Sequence, residues 1–249
     1  MLGAGFGSIF TIIIYRVPSG VPLMGKHNFC PSCEIKLKAV DLIPIISYLK
    51  LGGRCSCCNA VIPKKYLIIE VVTATYFVIL YLIYGVNFDF MLYSAFWSML
   101  LITFVIDLEH MVISDAVLAM FFPIVIVYII ATGASFAGHL IGLAAGFIFF
   151  LVIYSATKWA YKREAFGFGD VMLSGAVGWF LGPENAILTG IMSFLLAFIV
   201  IIILKILRKN ITKDMEIPFG PFICVAAVIS SLWGEEIIKL YWDLGYLWS

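Results

Sequence analysis

The sequence predicts an all-α polytopic membrane protein with about eight transmembrane helices and a small cytoplasmic zinc-knuckle loop. Of its 249 residues, 63% are apolar and only 12% are charged, and the mean hydropathy is +1.08. Soluble domains are nearer half apolar and a quarter charged. Five cysteines within one polar insertion predict the zinc loop. The formal net charge of +1 gives no indication of nucleic-acid binding.

Apolar runs recur along the chain, and each predicts one helix by the length and hydropathy that membrane spans require. The eight runs lie at about 1–15, 66–84, 90–106, 116–132, 137–156, 171–181, 186–207 and 218–233. One long polar insertion interrupts them. We therefore predict three parts, which are a first transmembrane helix at 1–15, a cytoplasmic cysteine loop at 16–65 and a transmembrane core at 66–249.

The first helix is expected to be retained. A secretory signal has a basic start and a small-residue cleavage site, and the first fifteen residues have neither. Glycines spaced one turn apart predict small faces for close helix packing in lipid. These glycines are Gly3 and Gly7, then Gly138, Gly142 and Gly146, and finally Gly175 with Gly178.

The basic residues predict the orientation. Fifteen of the sixteen lysines and arginines lie in three segments, 16–65, 158–163 and 205–213. With eight helices these segments all fall on one side of the membrane, which the positive-inside bias makes the cytoplasm. Both termini then face outward, and the protein is expected in the plasma or inner membrane.

Five of the six cysteines lie in the polar insertion, where they form two C-x-x-C knuckles. Thiolates at this spacing can surround one tetrahedral zinc ion. Disulfides do not persist in the cytoplasm, and a metal can replace the core that so small a loop lacks. We expect structural zinc, with redox-active dithiols or idle thiols as the alternatives. The predicted ligands are Cys30, Cys33, Cys55 and Cys58.

The two remaining cysteines have other expected roles. Cys57 is the spare thiol of the second knuckle, although it can replace a neighbour as ligand. Cys224 lies inside the last predicted helix and is expected to be a small core residue.

Two aspartates lie just inside predicted helix ends. Asp107 closes the third helix, and Asp170 opens the sixth after two glycines, Gly167 and Gly169. The predicted topology makes both helix ends cytoplasmic, so the carboxylates lie at similar depth although 63 residues separate them. An ionisable group inside a spanning segment is a candidate functional residue.

A carboxylate pair of this kind predicts aspartic-protease chemistry. Two carboxylates a few ångströms apart share a proton, because both cannot ionise comfortably. One then acts as a base on water while the other donates to the scissile carbonyl oxygen. The glycines before Asp170 would let an extended substrate approach the backbone closely.

Simpler alternatives remain open at this stage. Asp170 can be an N-cap of its helix, and Asp107 can be a solvated residue at a helix end. Asp115 is the main rival of Asp107 for the pair, although it is expected to cap the fourth helix. Glu109 and His110 also lie nearby, and the histidine can tune the site or simply be solvated.

The order of short motifs along nearly the whole chain resembles the bacterial type IV prepilin peptidases, or prepilin leader peptidase/N-methyltransferases. Each motif alone is weak, but their order and spacing are specific. They are the opening helix with its Tyr15-Arg16-Val-Pro18 exit, the two cysteine knuckles, segments 41–47 and 63–70, Ile106-Asp-Leu-Glu-His110 with Ile113-Ser-Asp115, Gly167-Phe-Gly-Asp170 and Ile217-Pro-Phe-Gly-Pro221.

This resemblance implies a Gly-x-Gly-Asp intramembrane aspartic endopeptidase with Asp107 and Asp170 as its catalytic aspartates. The implied substrates are prepilins and pseudopilins, whose short basic leader is cut at the cytoplasmic membrane face. Many members also methylate the new N-terminal residue with S-adenosylmethionine. Residues 16–65 would then be the methyltransferase-associated region, and 66–249 the peptidase core.

Departures from the family pattern do not touch the proposed pair. Ser114 stands where proline is common, Met172 stands where lysine is common, and the first helix is short. Presenilin-like proteases share Gly-x-Gly-Asp, but their partner aspartate follows tyrosine, whereas Asp107 follows Ile106.

Three alternative functions remain. A peptidase without methylation is the nearest, since no residue is assigned to S-adenosylmethionine. A non-catalytic assembly factor of the pilus or secretion system would not need the aspartates. A small transporter would use them as a proton or cation relay.

Overall fold

The computed structural model describes residues 2–22, 32–33, 35, 43–161, 167–207 and 217–246. Within these ranges the regular structure is helical, apart from one isolated backbone bridge between Arg54 and Val61. The described helices are α1 (Leu2–Arg16), α2 (Ile46–Lys50), α3 (Lys64–Tyr84), α4 (Phe88–His110), α5 (Asp115–Thr132), α6 (Phe136–Tyr161), α7 (Phe168–Leu181), α8 (Pro183–Leu207) and α9 (Gly220–Tyr246).

Each of the eight predicted apolar runs forms a helix, which confirms the predicted all-α fold. Among the described residues, six helices are long and apolar enough to cross a membrane, namely α3, α4, α5, α6, α8 and α9. The helices α1 and α7 are apolar but shorter.

Two elements differ from the predicted pattern. The pattern does not predict α2, because its five residues are too few to show a helical period. Helix α9 continues to Tyr246, well beyond the predicted end at 233. Hydropathy falls at Glu235 and Glu236, but these residues do not end the helix.

The chain forms two compact units, Met1–Ser98 and Met99–Ser249. The boundary falls inside α4, so this helix begins in the first unit and ends in the second. The three-part division at 15 and 65 follows hydropathy rather than compactness, and it stays a prediction.

In the first unit, α1 packs closely against α3 at two glycines. A Cβ atom at Gly3 would lie 2.9 Å from Cβ of Phe77, and one at Gly7 would lie 2.8 Å from Cα of Glu70. The small face predicted on the first helix is therefore confirmed. The close approach also lets Oγ of Ser8 donate a hydrogen bond of 2.6 Å to Oε1 of Glu70.

The second oxygen of the Glu70 carboxylate holds the turn before α2. Oε2 accepts a hydrogen bond of 2.7 Å from the backbone N–H of Ile45. Ile45 has a φ of 62°, a value that β-branched residues rarely adopt. The carboxylate thus joins α1, α3 and this turn, and both of its oxygens accept a hydrogen bond.

In the second unit, α7 is almost wholly buried. Ten of its fourteen residues are buried, from Asp170 to Phe180 with the exception of Met172. It packs against α5, α6, α8 and α9. Burial begins at Asp170, because Phe168 at the start of the helix is exposed.

The contact between α6 and α7 is close because glycines line it. A Cβ atom at Gly142 would collide with the carbonyl oxygen of Gly178, and one at Gly146 would collide with that of Ser174. Oγ of Ser174 also donates a hydrogen bond of 3.0 Å to the carbonyl of Gly146. The second predicted small face is confirmed at Gly142 and Gly146, whereas a Cβ atom at Gly138 would meet only the side chain of Ser135, at 3.7 Å, among the described residues.

Candidate active site

Asp107 and Asp170 come from the ends of two helices of the second unit. Asp107 lies in the last turn of α4, and Asp170 is the third residue of α7. Each side chain is buried, with 5% of its surface exposed. The two carboxylates are close enough for their charges to interact. The structure thus brings together the two side chains that the sequence pairs by depth.

The first turn of α7 fixes the Asp170 side chain. Its Oδ2 accepts a hydrogen bond of 3.1 Å from the backbone N–H of Gly167. The alternative of an N-cap role is wrong in position, because Gly167 is the N-cap residue and Asp170 is the third helical residue. A carboxylate here does satisfy an N-terminal donor, as in half of a capping box.

The Asp107 carboxylate is held less completely. Within the described ranges, its Oδ2 is buried and has no hydrogen-bond partner. The backbone amide of Gly220, the first residue of α9, faces the carboxylate. The positive end of the α9 helix dipole therefore lies beside a negative group, which is the favourable arrangement.

Glycine at position 220 lets the start of α9 approach the Asp107 carboxylate closely. A Cβ atom there would lie 2.6 Å from Oδ2 of Asp107 and 3.3 Å from Cδ1 of Ile113. The Pro-Phe-Gly-Pro turn therefore brings the start of α9 against Asp107. The sequence motif marks this turn, but nothing in the sequence says which residue it contacts.

Ile113 fills the space beside the second glycine of the Gly-x-Gly-Asp motif. A Cβ atom at Gly169 would lie 2.9 Å from Cβ of Ile113, whereas one at Gly167 would come no nearer than 3.8 Å to any described residue. Packing thus explains Gly169, and the predicted role of Gly167 in substrate approach stays a prediction. Sequence reasoning missed this role of Ile113.

Cys224 belongs to the surroundings of the aspartate pair. It is buried, with 2% of its surface exposed, as expected for a core residue. It follows Gly220 by one turn of α9, and its thiol is close enough to interact with the charges of both Asp107 and Asp170. The sequence gives no sign of this position, because 54 residues separate Cys224 from Asp170.

The rival acidic residues are in a different environment. Asp115, Glu109 and His110 are exposed, whereas the aspartates of the pair are buried. Asp115 is the first residue of α5, and Ser114 occupies the N-cap position. The expectation that Asp115 caps this helix is therefore wrong by one residue, and burial favours Asp107 over Asp115 for the pair.

The first unit holds a cluster of cysteines. The sulfur atoms of Cys33, Cys55 and Cys58 all lie within 4.8 Å of one another. Sulfurs around a tetrahedral zinc, with Zn–S of about 2.3 Å, are about 3.8 Å apart. The three thiols therefore fit a zinc site. Cys30, the fourth predicted ligand, lies outside the described residues, and Cys57 is exposed and not part of the cluster.

A tight turn positions the second knuckle. The backbone N–H of Cys55 donates to the carbonyl of Ala60 at 2.9 Å, and that of Ile62 donates to Gly53 at 2.8 Å. Asn59, with a φ of 57°, makes the reversal between them. The turn places Cys55 and Cys58 on the same side, as one metal ion requires.

The fold and the site define a multi-pass helical membrane protein with a buried aspartate pair. Two family models match the chain, the bacterial peptidase A24 N-terminal domain at residues 1–84 and the type IV leader peptidase family at residues 94–204. The chain belongs to the type IV leader peptidase family. No solved structure matches the chain.

Three relatives, each named prepilin leader peptidase/N-methyltransferase, show how far the likeness extends. The Bacillus subtilis protein is 28% identical over 242 residues, which cover 97% of this chain and 95% of that protein. The Pseudomonas aeruginosa protein is 28% identical over 275 residues, with 97% and 91% covered. The Aeromonas salmonicida protein is 30% identical over 221 residues, with 88% and 75% covered.

Proposed function

We propose that this protein is a prepilin leader peptidase that uses Asp107 and Asp170 as its catalytic pair. The observation that carries the proposal is the pair itself, two buried carboxylates from distant parts of the chain within range of each other's charge. The relatives of similar length carry the name prepilin leader peptidase/N-methyltransferase, which supports the same activity here.

The pair would supply both halves of acid–base catalysis. One ionised carboxylate takes a proton from water as the water oxygen bonds to the scissile carbonyl carbon, while the other carboxyl gives its proton to the carbonyl oxygen. The tetrahedral intermediate then returns a proton to a carboxylate, and the leaving nitrogen accepts one as the C–N bond breaks. The products are a leader with a free carboxyl group and a pilin with a new amino terminus.

The surroundings suit this chemistry because the two aspartates differ in their hydrogen bonds. Asp170 is held by the Gly167 amide, whereas Oδ2 of Asp107 has no hydrogen-bond partner among the described residues. An oxygen without a direct protein partner can accept a hydrogen bond from a water molecule. Enclosure by apolar helices also strengthens each electrostatic contact that the reacting groups make.

The substrate would be a prepilin or pseudopilin with a basic leader ahead of a hydrophobic helix. We place its cleavage at the cytoplasmic face, because fifteen of the sixteen basic residues lie in segments that the predicted topology puts on that side. The hydrophobic helix of such a substrate would enter the bilayer beside the enzyme. Its leader would then remain in the cytoplasm, at the level of the pair.

N-methylation of the new amino terminus is the second proposed activity. It would use S-adenosylmethionine, which supplies the methyl group. The relatives' shared name supports this activity, and no described side chain is assigned to the methyl donor. Zinc held by Cys33, Cys55 and Cys58, with Cys30 as the fourth ligand, would have a structural role in the first unit.

Incubation of the detergent-purified protein with a prepilin and S-adenosylmethionine would test both activities. Mass spectrometry would follow leader loss and methyl addition in the wild type, Asp107→Asn, Asp170→Asn and the matched control Asp115→Asn, whose aspartate is exposed. We expect cleavage by the wild type and by the control only. Normal cleavage by either pair mutant would overturn the catalytic assignment, and cleavage without a methyl increment would overturn the second activity.

A further inference from the structure

Thr103 on α4 differs from every other threonine that the structure describes. The other six, all helical, donate their hydroxyl to the carbonyl oxygen four residues earlier. They are Thr11, Thr73, Thr75, Thr132, Thr157 and Thr189. Oγ1 of Thr103 is buried and has no hydrogen-bond partner in the described ranges.

The missing hydrogen bond is unusual because a helix always provides a carbonyl acceptor for a threonine hydroxyl. A helical threonine can reach the carbonyl of the preceding turn through one rotation of its side chain. Only 1% of the Thr103 surface is exposed, so bulk solvent does not satisfy the hydroxyl. Buried polar atoms without partners are rare, and each one calls for an explanation.

The position of Thr103 on its helix suggests that explanation. Residues four apart lie on the same helix face, with Cβ atoms about 5–6 Å apart. Thr103 and Asp107 are such a pair within α4. Because helical side chains lean toward the N-terminus, the Asp107 side chain leans back toward Thr103.

The two residues also carry a complementary hydrogen-bond donor and acceptor. Thr103 carries a buried hydroxyl donor, and Asp107 carries a buried acceptor, Oδ2, and both atoms lack a partner among the described residues. A hydrogen bond from a hydroxyl to an ionised carboxylate is stronger than one between neutral groups. A distance too long for a direct bond can be bridged by one water molecule.

We propose that Thr103 is a positioning residue for Asp107 in peptide cleavage. Its hydroxyl donates to one water molecule that in turn donates to Oδ2, since the two atoms make no direct hydrogen bond, and this bridge fixes the plane of the carboxylate. The other oxygen is then directed at the reacting water or carbonyl group. The inference rests on the proposed peptidase activity and assigns Thr103 no contact with the substrate.

Two substitutions at this position separate positioning from packing. Thr103→Val removes the hydroxyl but keeps the shape of the side chain, and Thr103→Ser keeps the hydroxyl. Thr189→Val is the matched control, since Thr189 is equally buried, with 2% of its surface exposed, and bonds to its own helix. The measurements are kcat and KM for a prepilin, with the thermal unfolding midpoint of each purified protein.

We expect Thr103→Val to lower kcat by about 10- to 100-fold, because a catalytic group held out of position loses rate of this order. KM and the unfolding midpoint should stay close to wild type, since valine keeps the shape of the side chain and Thr103 makes no direct hydrogen bond to a described protein group. Thr103→Ser should restore most of kcat, and Thr189→Val should leave it unchanged.

Wild-type kcat in Thr103→Val would overturn the proposal. So would a fall in kcat that comes with a lower unfolding midpoint or failed membrane insertion and is not restored by serine, because Thr103 would then be structural. Failure of the peptidase assignment is distinguishable, since the wild-type protein would not cleave the prepilin at all.

Discussion

The two units of the chain each contain an acidic residue inside an apolar helix, and the two residues are held in opposite ways. In the first unit, both oxygens of Glu70 accept short hydrogen bonds, from Ser8 at 2.6 Å and from the Ile45 amide at 2.7 Å. In the second unit, Oδ2 of Asp107 is buried without a partner among the described residues. Glu70 is occupied by the protein itself, whereas Asp107 is available to another molecule.

The difference shows how an intramembrane carboxylate can be interpreted. Sequence alone marks every such residue as a functional candidate, because burial of its charge is costly. Once partners are known, a fully hydrogen-bonded carboxylate indicates a structural role, since its protein contacts offset the lost hydration. A buried carboxylate oxygen without a hydrogen-bond partner, beside a second carboxylate, indicates a catalytic role instead.

The largest expected effect is the loss of cleavage in Asp107→Asn. General acid–base groups contribute about 10²–10⁴-fold to a rate, so we expect at least about a 100-fold fall in kcat. The unfolding midpoint should change little, because the asparagine side chain has the size of the carboxylate and keeps one oxygen to accept from the Gly220 amide. Cleavage assays and thermal unfolding in the same detergent would measure both. A large loss of stability without loss of cleavage would reverse the interpretation of Asp107.

Metal removal should act on the first unit alone. We expect Cys33→Ser to release zinc, because one of the three clustered sulfurs is lost. The helices should remain inserted, since no membrane helix contains this residue. Elemental analysis of the purified protein and protease accessibility of the loop would measure the change. Absence of zinc from the wild-type protein would contradict the structural-zinc proposal.

Glycine substitutions in the two units should have different effects, lowering kcat in the second unit and stability in the first. In Gly220→Ala the new Cβ meets the end of the Asp107 side chain at 2.6 Å, which can move aside. We expect about a tenfold or greater fall in kcat, by displacement of the carboxylate, with little change in stability. In Gly7→Ala the new Cβ meets Cα of Glu70 at 2.8 Å, which cannot move alone.

Gly7→Ala should therefore lower the unfolding midpoint, with near-normal kcat for the protein that stays folded. Measurement of kcat and of the unfolding midpoint for both variants would test this difference. Equal losses of stability in both would show that the contact at Gly220 is as rigid as the one between α1 and α3.

The smallest effect is expected at Glu70. Glu70→Ala leaves the Ile45 amide and the Ser8 hydroxyl without their acceptor, at a total cost of about 1 kcal/mol, because both donors are only partly buried and water can replace the carboxylate. Glu70→Gln should cost less, because one amide oxygen can accept from Ile45 while the amide NH₂ donates to Ser8. Denaturant or thermal unfolding would rank the stabilities of the wild type, Glu70→Gln and Glu70→Ala. Equal stability of the wild type and Glu70→Ala would contradict the structural role.

Much of the fold is predictable because a bilayer imposes strict rules on composition. All eight apolar runs are helices, including the short ones at α1 and α7. The missed features are those that hydropathy does not encode. Helix α2 is too short for a period, and α9 continues through Glu235 and Glu236, where a helix can leave the apolar layer without ending.

The site is predictable in part for the same reason. Helix count and basic segments place Asp107 and Asp170 at one depth, and the structure brings them together. Cys33, Cys55 and Cys58 are likewise grouped by their spacing and are close in space. Their catalytic and zinc-binding roles, and the cytoplasmic orientation, stay predictions.

The sequence by itself predicted the helices, the candidate pair and the candidate cysteine ligands, because hydropathy and ligand spacing are local properties of the chain. Only the tertiary structure decided that Gly220 lies against Asp107 and that Ile113 packs against Gly169. It also decided that both oxygens of Glu70 accept hydrogen bonds, whereas Oδ2 of Asp107 has no partner among the described residues. The physical reason is that a hydrogen bond or a collision depends on which surfaces of distant helices meet. That pairing follows from packing of the whole unit, and no single segment encodes it.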